Sequence, residues 1–170
     1  KYFSKKHINF NIISESSKIK LLEELGIKHL IILKFDQTIA SLSPQEFIEK
    51  ILVKKIKIRK LVVGYDFKFG KNRKGDLLLL KEKSQKYQFN VTVIKPVIEA
   101  NSKQKYSSSI IRKQIKNGMF EEVSAALGRH WHMSGVVILG AQRGQKNGFP
   151  TANLEPGHHI LPLKGVYCVY

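Results

Sequence analysis

Lys60-Leu61-Val62-Val63-Gly64-Tyr65-Asp66-Phe67-Lys68-Phe69-Gly70, followed by Lys71-Asn72-Arg73-Lys74-Gly75-Asp76, is the stretch on which the fold turns. An apolar run of strand length stops at a glycine, and a polar loop punctuated by further glycines follows. Such a run is how a strand buried in a parallel sheet reads. The glycines let the backbone turn and come close to a ligand. Phe67 and Phe69 offer flat apolar surface suited to an aromatic ring system, and Asp66 adds one polar handle. The same residues also read as a plain turn, its phenylalanines returned to the core under a lysine-rich tip.

Strands and helices alternate around this stretch. Residues 18–25 form a short amphipathic helix closed by Gly26. Residues 29–35 (HLIILKF) are a continuous apolar run and predict a first buried strand. Ser43-Pro44-Gln45-Glu46 is a helix start, with a serine cap, proline at the first position and glutamate three residues after the cap; the helix runs to about Lys55. Asp76 caps a helix to about Tyr87, and residues 90–94 are a third strand. Ser107 or Ser108 caps a helix to Lys116, Asn117-Gly118 breaks it, and residues 120–127 are helical again. This rhythm predicts an α/β fold, a parallel sheet with right-handed crossovers. Ligands sit beyond the carboxyl ends of such strands, which singles out the loops after Val63 and Ile94. The pattern changes after Gly128. Residues 134–139 and 165–170 are strand-like, residues 140–157 are rich in glycine and proline, and an all-β second domain is expected to begin near Met133.

With 170 residues, 42% hydrophobic and 25% charged, the chain has the makeup of a folded protein. No apolar run reaches the ~18 residues of a membrane-crossing helix. The basic start has no long apolar stretch, so it does not read as a signal peptide. A single cysteine, Cys168, rules out an internal disulfide, reads as a small buried hydrophobe and fits a cytoplasmic setting. The net charge of +17 points to anionic partners, either nucleic acid or phosphorylated small molecules. The cations are 25 lysines and five arginines, and the lysines are spread along the whole chain. Base and backbone recognition usually draws on the arginine fork, so nucleic acid is the less favoured partner. Where lysine supplies most of the charge, arginines mark places where a plain charge does not suffice. Four of the five (Arg73, Arg112, Arg129 and Arg143) fall within or beside the motifs.

Two further motifs carry chemistry. Ser107-Ser108-Ser109-Ile110-Ile111-Arg112 opens a helix beyond the third strand. Helix N-terminal N–H groups bind phosphate, hydroxyls add donors, and an arginine one turn in reaches the same oxygens. It equally reads as an ordinary serine cap with a surface arginine. In residues 140–153 (GAQRGQKNGFPTAN), Thr151 and Asn153 at i and i+2 present oxygen donors on one side of an extended segment, a set suited to magnesium beside nucleotide phosphates. A long hairpin loop is the plain alternative, and the spacing is not that of a P-loop. His130-Trp131-His132 and His158-His159 lack a second ligand pair at proper spacing for a metal site.

Taken in order, these segments resemble the bacterial bifunctional riboflavin kinase/FMN adenylyltransferase (FAD synthetase) family. Val62 to Gly70 is similar to that family's VVGxDFxFG, with Arg73, Gly75 and Asp76 in place. Ser107 to Arg112 is similar to its Ser-Ser-Thr-x-x-Arg motif. Leu127-Gly128-Arg129 and Ser134-Gly135-Val136-Val137 resemble the junction into the kinase domain. Gly144 and Gly148-Phe149-Pro150-Thr151-Ala152-Asn153-Leu154 resemble the kinase motif, with Gly165-Val166-Tyr167 following.

The resemblance implies a Rossmann-like nucleotidyltransferase domain over residues 1–129 and the start of a β-barrel riboflavin kinase domain over residues 133–170. It implies ATP-dependent phosphorylation of riboflavin to FMN, then adenylylation of FMN to FAD with release of pyrophosphate. It assigns Ser107, Ser108, Ser109 and Arg112 to ATP phosphates, and Gly64, Asp66, Phe67 and Phe69 to flavin or nucleotide. It assigns Gly144, Gly148, Pro150, Thr151 and Asn153 to kinase ATP and Mg²⁺, with Thr151 and Asn153 as the metal ligands. The family's Gly-x-x-His-x-Gly-His motif and its kinase glutamate are expected outside these residues. Ser109 stands where the family has threonine, and Lys105 where many members have arginine, which keeps charge but loses the fork. The competing readings are a basic nucleic-acid-binding module and a catalytically dead fragment.

Overall fold

The computed structural model describes residues 10–99, 103–140, 148–149 and 151–169. They form two compact units, one of residues 32–105 and the other joining residues 10–31 to residues 106–169.

In the first unit, Asp36 caps the short helix α2 (Gln37–Ser41) by accepting from the Ile39 N–H. Ser43 then opens α3 (Pro44–Glu46) with the expected reciprocal box: its hydroxyl accepts from the Glu46 N–H, and the Glu46 carboxylate accepts from the Ser43 N–H. The chain continues as a π-helix over Phe47–Ile56, which Lys57 closes in the left-handed region. This helix buries Ile48, Ile51 and Leu52. Strand β1 (Lys60–Gly64) pairs in parallel with β2 (Asn90–Ile94), Val62 opposite Thr92. Between them lie a 3-10 turn (Lys71–Arg73) and α4 (Leu77–Tyr87), whose cap is Asp76 accepting from the Leu79 N–H. Ile48, Leu52, Val63, Phe69, Leu80 and Phe89 make the core. Leu80 and Ile48 are wholly buried; each such side chain contributes about 1.5–3 kcal/mol.

In the second unit, Ser14 caps α1 (Glu15–Glu24) and Gly26 turns the chain at φ +78°. Ser107, not Ser108, caps α5 (Ser108–Lys116), its hydroxyl accepting from the Ile110 N–H. Helix α6 (Phe120–Leu127) ends at Gly128 in the left-handed region. Ile111, Ile115, Val123 and Ile160 form the core, and residue 11 bridges residue 159 in parallel. Trp131 stacks on Phe120 and donates its indole N–H to the Ile12 carbonyl at 2.7 Å. Strands β3 (Val136–Ile138) and β4 (Asn153–Glu155) form an antiparallel pair.

The architecture is therefore mixed α/β with a parallel pair. Several expectations are corrected. Residues 29–35 carry no strand; Leu30, Ile31, Ile32, Leu33 and Phe35 are 36–60% exposed. A strand exists only where a neighbour accepts its ladder, and among the described residues β1 pairs with β2 alone. For the same reason β1 buries only Val63, and Val62 is half exposed. Residues 165–169 likewise form no strand, and Cys168 is exposed, because no ladder carries that segment into a core. The β3–β4 pair is an antiparallel ribbon and not a barrel among the described residues.

Candidate functional site

The expected loops do meet at the carboxyl ends of the parallel strands. The Tyr65 N–H, just past β1, donates to the carbonyl of Ile94, the last residue of β2, at 3.1 Å. Lys105 bridges back to residue 98 and donates from Nζ to the Tyr65 hydroxyl at 2.9 Å. Its ammonium lies 5.5 Å from the Tyr65 ring centre and 3.9 Å from an Asp66 carboxylate oxygen. The Tyr65 oxygen, and secondarily Asp66, raise the Lys105 pKa above the ordinary lysine value. Gly64, Tyr65, Asp66 and Lys105 thus form one exposed polar cluster. Exposed pairs of this kind add little stability.

Phe67 and Phe69 stack with ring centres 5.5 Å apart, and they divide the labour. Phe69 is 6% exposed, packs on Phe47 and lies so close to Gly75 that any side chain there would meet its ring. Phe67 is half-buried and lines an open cavity of about 160 Å³ with Tyr65, Lys68, Asp76, Leu77 and Leu78. This is below the roughly 300–1,000 Å³ of sites that enclose a drug-sized ligand. It is the size for an edge of a ring system. Lys68 and Asp76 face each other at 3.5 Å on its rim. The Leu79 N–H, with Lys68 beside it, holds the Asp76 carboxyl below its ordinary pKa.

The serine motif lies in the second unit. Ser107 is spent on the cap, while Ser108 and Ser109 stand exposed in the first turn of α5. By helical geometry their N–H groups have no intrahelical acceptor. Arg112, one turn in, donates from Nε to the Phe10 carbonyl at 2.9 Å, and its guanidinium lies 3.5 Å from the Phe10 ring centre. Partial burial lowers its pKa, but a guanidinium remains charged.

Of the kinase-type residues, Gly144 and Pro150 lie outside the described residues. Gly148 sits in a turn at φ +82°, and Thr151 and Asn153 are exposed, Asn153 opening β4. Asn153 pairs with Ile138 across the ribbon, and its carboxamide rests against Gly140. Nearby in sequence, His159 is 4% exposed, its Nε2 3.4 Å from the Ser134 hydroxyl and its Nδ1 without a partner. Burial, reinforced by His132, pushes its pKa down. Sequence reasoning gave no role to Tyr65 or Gly140. Tyr65 was signalled only by its place between Gly64 and Asp66, and Gly140 only as the first residue of the 140–153 motif.

A parallel pair whose carboxyl-end loops gather polar and aromatic groups, with a serine-rich helix start following in sequence, is consistent with a nucleotidyltransferase-like domain. The FAD synthetase family model matches residues 1–110, and the riboflavin kinase family model matches residues 127–170. The chain belongs to the FAD synthetase family. The bifunctional riboflavin kinase/FMN adenylyltransferase of Escherichia coli strain K12 is 35% identical over 89% of this chain and 48% of its own length. That of Buchnera aphidicola subsp. Schizaphis graminum is 39% identical over 90% of this chain and 49% of its own. The chain spans about half the length of these curated relatives. A crystal structure described as a macrolide-efflux protein from Streptococcus pneumoniae superposes with a TM-score of 0.77 at 29% identity, over 98% of this chain and 53% of that one. Among the described residues, no helix is long and apolar enough to cross a membrane.

Proposed function

We propose that the protein to which this chain belongs makes FAD in two ATP-dependent steps, phosphorylating riboflavin to FMN and adenylylating FMN to FAD with release of pyrophosphate. The observation that carries this reading is the succession of the two family matches along one chain, FAD synthetase and then riboflavin kinase. In this reading residues 1–129 serve adenylyl transfer and residues 133–170 open a β-barrel kinase domain. Gly64, at the end of β1, Asp66, in the loop past it, and Phe67, on the neighbouring cavity, meet flavin or nucleotide, with Phe69 as the buried support beneath Phe67. Ser107, Ser108, Ser109 and Arg112 hold ATP phosphates at the start of α5.

Gly144, Gly148, Pro150, Thr151 and Asn153 serve the kinase nucleotide. The exposed hydroxyl of Thr151 and carboxamide of Asn153 are hard oxygen donors and fit Mg²⁺, which takes its remaining ligands from water and substrate phosphates. When bound, the ion neutralises phosphate charge. In both reactions, positioning and charge neutralisation carry most of the catalysis. The working place is the cytoplasm, where ATP and flavins are at hand.

The test is chromatography of the full-length protein incubated with riboflavin, ATP and Mg²⁺. FMN is expected first and FAD after it, with pyrophosphate in step with FAD. Absence of both products from a folded preparation that instead binds nucleic acid steeply at low salt would refute the proposal in favour of a nucleic-acid module.

A further inference from the structure

We propose that Gly140 is a positioning residue for Asn153, holding open the space in which the Asn153 carboxamide lies beside the magnesium-nucleotide site. This rests on the reading of Thr151 and Asn153 given above. The paired register sets Ile138 opposite Asn153. Gly140 lies two residues past the end of β3; extended backbone continued to it would keep it on the Ile138 side of the ribbon, opposite Thr151. It is therefore the diagonal neighbour of Asn153. A Cβ on residue 140 would run into Asn153 Nδ2 and fall 2.6 Å from Cγ and 3.1 Å from Oδ1. The carboxamide occupies the volume that any other residue's side chain would fill. Its nitrogen edge is nearest Gly140, leaving the oxygen edge, the one a hard cation uses, farther away.

What gives way on substitution separates positioning from folding. Gly140 is not in the left-handed region, so alanine is conformationally allowed there. The clash is with the end of a side chain, which swings away at little cost to the backbone but takes its oxygen with it. Gly135, just before β3, differs. A Cβ there would run into the Glu155 carbonyl oxygen and fall 2.8 Å from its carbon, so the strands themselves must part. One glycine guards the ladder, and the other guards the aim of a single carboxamide.

The experiment compares Gly140→Ala, Gly135→Ala and Asn153→Ala in the full-length protein. It reads three quantities: the Mg²⁺ concentration giving half-maximal FMN formation, calorimetric binding of Mg·ADP, and the thermal unfolding midpoint. FAD formation from supplied FMN serves as the control for protein quality. Gly140→Ala is expected to keep the wild-type midpoint while raising the Mg²⁺ requirement and weakening Mg·ADP roughly tenfold, the loss of about one contact. Gly135→Ala is expected to lower the midpoint. Wild-type Mg²⁺ dependence and Mg·ADP binding in Gly140→Ala, with Asn153→Ala defective, would overturn the positioning role alone. A midpoint lowered as far as in Gly135→Ala would also overturn it. If Asn153→Ala is itself unaffected, the underlying kinase reading fails instead.

Discussion

Replacing Arg112 with alanine separates a structural from a catalytic role, because the structure shows what the guanidinium holds. Its Nε donates to the Phe10 carbonyl at 2.9 Å, and it lies 3.5 Å from the Phe10 ring centre. A hydrogen bond from a charged donor is worth about 1.5–3 kcal/mol, and an exposed cation–π contact about 0.5–1 kcal/mol. The contact is solvent-exposed, which screens both, so Arg112→Ala is expected to cost only about 1–2 kcal/mol of stability. If the same guanidinium holds ATP phosphates in adenylyl transfer, a charge-assisted contact worth about 2–3 kcal/mol is lost from the transition state, on the order of a hundredfold in rate. The assay is FAD formation from FMN and ATP by the full-length protein, with riboflavin phosphorylation and thermal unfolding followed in parallel. FAD formation should fall by that factor while phosphorylation stays near wild type. Arg112→Lys, which keeps the charge and loses the fork, should fall between. Equal loss in both reactions, or normal FAD formation at reduced stability, would show that Arg112 only clamps residue 10 to the helix.

Other outcomes follow from the same geometry. Thr151→Ala or Asn153→Ala should abolish FMN formation, with added Mg²⁺ restoring it only in part, because water can fill the vacant coordination position but not its geometry; FAD formation from supplied FMN should persist. Gly70→Ala should destabilise the first unit by about 2–4 kcal/mol, read from the urea midpoint, since Gly70 sits at φ +69° and a Cβ would lie 2.7 Å from the Pro44 backbone, which cannot rotate aside. His159 is buried with its pKa pushed down. Below the ordinary histidine pKa of about 6.5 the unfolded chain therefore binds more protons than the folded one. Stability should be full above that pH and fall as pH drops through it, and denaturation curves between pH 8 and 5 should lose that component in His159→Asn.

What could be read from the sequence was local. Ser43, Asp76 and Ser107 cap the helices they were expected to cap, because a cap is settled by a side chain and an N–H two or three residues apart. Strands β1 and β2 fall where their apolar runs lie, and the loops beyond them meet as a parallel pair requires. The family motifs were equally legible, since they are fixed spacings along the chain. Tertiary structure decided everything that depends on a distant partner. Residues 29–35 have the composition of a buried strand yet stand exposed, because hydrophobicity states a preference for burial and not which ladder will provide it. Phe67 and Phe69, two residues apart, looked equivalent; packing against Phe47 and Gly75 sent Phe69 into the core and left Phe67 on the cavity. The grasp of Arg112 on Phe10 spans 102 residues, and the bond of Lys105 to Tyr65 spans 40. No pattern in the chain encodes these separations. They arise where strand pairing and close packing bring remote segments to within a few ångströms, and only there does the identity of a side chain become a contact.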